Sequence, residues 1–134
     1  MFLHLLTPEQ RETFFHAGTL LAHVDGMDPR EAVLLEQAQL EWGVEVDHGL
    51  SELGEDKIIE ALGGLDPLYV RNVMLVELAG IAVADEKVSS QELELFGRMC
   101  EALGADHETS QAGLELAGRW RELTNESDSF IAGG

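Results

Sequence analysis

Five acidic residues occupy places where an acid is unexpected. Asp25 closes one apolar run within "HVDGMDPRE" and Glu31 opens the next, "VADEKVSSQE" repeats the arrangement with Asp85 and Glu92, and Glu77 interrupts the most apolar stretch, "PLYVRNVMLVELAGIAVAD". Carboxylates in apolar surroundings can cap a helix, pair with a cationic side chain, or coordinate a hard divalent cation such as Ca²⁺ or Mg²⁺, which takes several oxygens at once. Without any partner, a charge held there would cost several kcal/mol.

Direction decides which acids matter. At about 100° per residue, Asp25 falls within about 20° of Phe14, Glu31 falls between Leu34 and Leu35, and Glu92 falls between Met99 and Leu103. Glu77 lies one turn after Val73 and one before Ile81. All four directions are inward, whereas Glu36 and Glu94 point to water. Capping accounts for Glu31 and Glu92 taken singly, as the fourth members of "DPRE" and "SSQE", but it cannot serve Glu77. Arg71, Lys87 or Arg98 could neutralise one carboxylate but not five. As a set, Asp25, Glu31, Glu77, Asp85 and Glu92 are therefore the candidate ligands of a Ca²⁺- or Mg²⁺-type cation. The alternative, with no metal and each inward acid capped or salt-bridged, stays open because no metal-defining spacing is present.

Other chemistries fit less well. An EF-hand needs oxygen ligands over a twelve-residue loop with Gly at the sixth position, and only two or three residues separate Asp25 or Asp85 from the next cap. His16 and His23 share a helical face, but it points away from the apolar one, so they read as solvated histidines and not as a zinc or nickel pair. No Ser/His/Asp arrangement, Gly-rich phosphate loop or cysteine pair is present, and "LGGL" at 62–65 is a helix stop. An enzyme is not expected.

The elements that would position these acids are marked by punctuation. Each proline follows a good N-cap residue, as Thr7-Pro8, Asp28-Pro29 and Asp66-Pro67, and Gly43, Gly63-Gly64 and Gly104 stand where helices should stop. Helices are predicted near 8–24, 29–42, 51–62, 67–85, 90–103 and 108–124, and nothing alternates with period two for long enough to make a strand. Helix 67–85 is apolar nearly all round and should be central. Phe14, Ala17, Leu21 and Val24 form the packing face of the first helix. Leu34, Leu35, Ala38 and Trp42 form that of the second, and Leu93, Phe96, Met99, Cys100 and Leu103 that of the fifth. The fold class is an all-α single-domain bundle of five to six helices over residues 1–124, with 125–134 a flexible acidic tail. Glu31 to Gly43 and Glu92 to Gly104 are equal intervals, in which Leu34, Leu35, Ala38 and Trp42 match Leu95, Phe96, Met99 and Leu103. Either an internal helix–turn–helix duplication or the recurrence of caps and apolar spacing in unrelated helices produces such a match.

Composition limits the partners. The 134 residues carry 26 Asp and Glu against 8 Lys and Arg, a formal net charge of −18, and the cations are dispersed. A nucleic-acid partner, which needs a clustered basic footprint, is excluded in favour of cations or basic proteins. The single cysteine, Cys100, lies in an apolar pattern and forms no intramolecular disulfide, which points to a reducing, cytoplasmic setting. "MFLHLL" is too short and lacks the basic residues of a signal peptide, so neither export nor membrane insertion is expected.

The run "LLTPEQRETFFHAGTLLAHVDGMDPREAVLLEQAQLEWGV", followed by "LVELAGIAVADEKVSSQELELFGRMCEALGA", resembles the TerB-like family of tellurite-resistance-associated proteins, small all-helical domains with A-x-x-D-G-x-x-x-x-E junctions. The resemblance covers most of residues 5–105. It implies a helical bundle in which Asp25 and Glu31 at the first junction, with Glu77, Asp85 and Glu92 at the second, take part in metal binding. It also implies work in stress-response or membrane-associated assemblies and no known enzymatic activity. The second junction departs from the pattern, with Glu86 in the place of the glycine. The expectation is a non-enzymatic acidic domain that binds a divalent cation and a protein partner.

Overall fold

A computed structural model describes residues 2–24, 54–84 and 89–133. These residues form five α-helices, one short 3₁₀ turn and no strand, the all-α single-domain bundle expected. The predicted helix 29–42, and with it one half of the apparent repeat, lies outside the described residues.

The helices begin where local chemistry satisfies their free N–H groups. Helix α1 (Pro8–His23) opens on a full capping box: Thr7 Oγ1 accepts from the Gln10 N–H and the Gln10 side chain accepts from the Thr7 N–H. Before it, the 3₁₀ turn Leu3–Leu5 buries Leu3. Helix α2 (Glu55–Gly63) buries Ile58 and Leu62 and stops at Gly63-Gly64, as the glycines predict. Helix α3 spans Leu68–Ala82. Ser89 caps helix α4 (Ser90–Ala102), and Gly104, at φ +76°, takes the left-handed turn after it. Asp106 caps helix α5 (His107–Ile131) by accepting from the Thr109 N–H at 2.7 Å, and that bond holds its carboxyl below the ordinary value.

Helix α3 is the axis of the bundle. Nine of its residues are buried, and α1, α4, α5 and the 3₁₀ turn all pack on it, while α2 packs on α1 and α4. Phe14 and Phe15 meet edge to face with ring centroids 5.3 Å apart. They share the core with Leu62, Met74, Leu78, Leu95, Phe96 and Met99. Each such side chain contributes about 1.5–3 kcal/mol on burial. Hydrogen bonds tie the periphery down: Arg71 Nε donates to the Leu65 carbonyl at 2.6 Å, and Arg121 Nη1 of α5 donates to the Val83 carbonyl at the end of α3 at 2.6 Å.

Three local expectations are corrected. The N-cap of α3 is Pro67, not Asp66, and it forms no side-chain cap because a prolyl ring carries no acceptor. Leu93 is exposed, since it lies at the edge of a buried arc whose centre is occupied by Glu92. The last helix does not end near 124: α5 continues to Ile131, because "NESDSF" contains neither Gly nor Pro, and the positive-φ residue beyond it is Gly133. All residues from Glu122 to Ile131 are exposed, so about 15 Å of helix carries no buried side chain.

Candidate functional site

Two charged side chains are buried among the described residues, and both belong to the five acids singled out by the sequence. Glu77 is 8% exposed and Glu92 4% exposed, whereas Glu94 is exposed. Each is inward for the reason read from helical geometry. Glu77 shares α3 with Val73, Met74, Leu78 and Ile81, all buried, and Glu92 sits at the centre of the arc formed by Leu95, Phe96, Met99 and Cys100. Helices α3 and α4 pack against each other, so adjacent elements each carry one of the two carboxylates.

Their surroundings differ. Glu77 Oε1 accepts the backbone N–H of Phe2 at 2.6 Å, which anchors the N-terminal turn to the central helix. Arg11 reinforces that turn, its Nε donating to the Leu3 carbonyl at 2.9 Å. At the start of α4 the cap is made by Ser89, whose Oγ accepts from the Glu92 N–H at 3.0 Å, while the Glu92 carboxylate is buried. Of the cations considered as partners for one of the inward carboxylates, Arg71 donates to the Leu65 carbonyl and Arg98 pairs with Glu55 at 2.9 Å. The Arg98–Glu55 pair is half exposed and of the kind that contributes little to stability. Lys87 lies outside the described residues.

Asp25, Glu31 and Asp85 also lie outside the described residues, so the structure places Glu77 and Glu92 alone of the five. Among the described residues no group of three or more His, Cys, Asp or Glu side chains is gathered closely enough to hold a metal ion. The histidines of α1 serve their own helix. The Nδ1–H of His23, which is exposed, donates to the Thr19 carbonyl at 2.8 Å, and His16 Nε2 stands 3.7 Å from Glu12. His16 is more covered than a solvated reading requires. Burial pushes the Cys100 thiol above its ordinary value, opposed in part by a hydrogen bond with Ser110. A protonated thiol of that kind packs as a small apolar group and is a poor nucleophile.

What the residue pattern could not show was the Phe2 contact. A backbone N–H has no sequence signature, and its donor lies 75 residues from Glu77. No protein-family model matches the chain, and neither a curated protein nor a solved structure matches it.

Proposed function

We propose that this chain is a non-enzymatic acidic helical domain that binds a divalent cation of the Ca²⁺ or Mg²⁺ type through inward carboxylates and serves as a protein-interaction module. The observation that carries the reading is the burial of two carboxylates, Glu77 and Glu92, on packed helices of an otherwise apolar core. A hard cation turns such charge from a cost into a ligand set. Two carboxylates supply fewer oxygens than the six to eight that Ca²⁺ takes. Asp25, Glu31 and Asp85 complete the set on the strength of sequence alone, as does the resemblance to TerB-like proteins, which suggests a place in tellurite or other stress resistance and a cytoplasmic setting. Among the described residues no helix is long and apolar enough to cross a membrane.

A second reading is favoured by one contact. The 2.6 Å hydrogen bond from the Phe2 N–H gives Glu77 a structural use that needs no metal, and on this reading the chain is purely a protein-interaction module.

The two readings separate on heating. With a cation site, adding Ca²⁺ or Mg²⁺ to chelator-stripped protein raises Tm with concentration, by ligand linkage worth about 2.7 kcal/mol at a hundredfold excess over Kd. Chelator then reverses the gain. Superimposable melting curves with cation and with chelator, at matched ionic strength, leave the interaction module alone.

A further inference from the structure

The last ten residues of α5 present a problem of stability. Short helical segments without tertiary burial are marginal in water, yet 122–131 is helical with every side chain exposed. These side chains are not uniformly polar. Leu116, Trp120, Leu123 and Phe130 recur at alternating intervals of four, three and seven residues, with Ser127 completing the register, and Ile131 flanks them. At 100° per residue all fall within an arc of about 100°, which borders the face on which Gly113 and Ala117 are buried, Ile131 standing at the shared edge in the direction of Gly113. Phe130 is 85% and Ile131 81% exposed, and Leu116, Trp120 and Leu123 are about half exposed.

We infer that this stripe is the seam of a homodimer, in which two copies of α5 pack antiparallel about a two-fold axis near residues 121–122. Charge selects the arrangement. Taking Leu116, Leu123 and Phe130 as d positions and Trp120 and Ser127 as a positions, the g positions are Arg119 and Glu126. An antiparallel register that stacks Trp120 on the partner's Leu123, and Leu123 on the partner's Trp120, sets Arg119 beside the partner's Glu126 and Glu126 beside the partner's Arg119. A parallel pairing of identical helices offers no such exchange, because the g positions then face e positions, which are Ala117, Thr124 and Ile131.

Area permits it as well. The stripe exposes roughly 600 Å² of apolar side chain per copy, so pairing two of them clears the roughly 1,000 Å² total that a specific interface needs. An anionic membrane is the poorer occupant, since the helix from Glu115 onward carries two arginines against four acids. The net charge of −18 on each copy opposes association, and at physiological ionic strength that repulsion is confined to a Debye length of about 8 Å. This inference is independent of the cation.

Sedimentation equilibrium of the full chain at physiological ionic strength, from micromolar to sub-millimolar concentration, tests it. The expected result is reversible association to twice the 14.7 kDa chain mass. Leu123→Asp, at an exposed position that leaves the fold intact by far-UV circular dichroism, should raise the dissociation constant about tenfold or more. Arg119→Glu and Glu126→Arg should each weaken association, and the double variant should restore it. A monomer at every concentration, or a dimer indifferent to Leu123→Asp, would overturn the inference, and so would a double variant no better than either single one.

Discussion

Glu77→Gln is expected to abolish most of the stability that Ca²⁺ or Mg²⁺ adds while leaving the fold intact. The substitution conserves size, and the amide oxygen can still accept the Phe2 N–H that Glu77 Oε1 holds at 2.6 Å, so what it removes is charge. Without cation the variant should equal or exceed the wild type in stability, because a carboxylate no longer has to be kept out of water at 8% exposure. Glu77→Leu is the complementary change: it leaves the Phe2 N–H without its acceptor and should cost about 1–3 kcal/mol whether or not a cation is present. Urea denaturation of both variants, with cation and with chelator, distinguishes these effects, and Glu94→Gln on the exposed face is the silent control. If Glu77→Gln lost stability equally in both conditions, Glu77 would be a structural anchor and not a ligand.

The seam between α3 and α5 should be sensitive to added volume. A Cβ at Gly113 would collide with Leu75, itself buried in the core. Gly113→Leu therefore forces either Leu75 off its rotamer or α5 off α3, and should destabilise the chain by about 3 kcal/mol. Gly118, on the same helix, has nothing within 4 Å of its prospective Cβ. Gly118→Ala should be neutral or stabilising by up to about 1 kcal/mol from helix propensity alone. Equilibrium unfolding in urea reads both, and a Gly113→Leu protein as stable as the wild type would refute the packing described.

The difference between what could and could not be read in advance has a physical basis. Caps are local, so the starts of α1 and α4 at Thr7 and Ser89 were legible from a few adjacent residues. The inward directions of Glu77 and Glu92 follow from helical period alone, and both side chains are buried. Leu93 is apolar by type but stands at the edge of the arc, where direction and not residue type decides exposure. The extent of α5 is hidden for the opposite reason: "NESDSFI" has a polar composition that reads as loose, while Phe130 keeps the heptad spacing begun at Leu116. The donor to Glu77 comes from a distant part of the chain, and pattern reasoning has no access to a backbone group brought in by tertiary packing.

The cation is the central claim, and direct titration addresses it most closely. Calorimetric titration of Ca²⁺ and Mg²⁺ into chelator-stripped protein at physiological ionic strength should give saturable binding of one cation per chain, lost when Glu77 and Glu92 are both replaced by Gln. Heats that fail to saturate, or saturable binding unchanged in the double variant, would contradict coordination by the buried carboxylates.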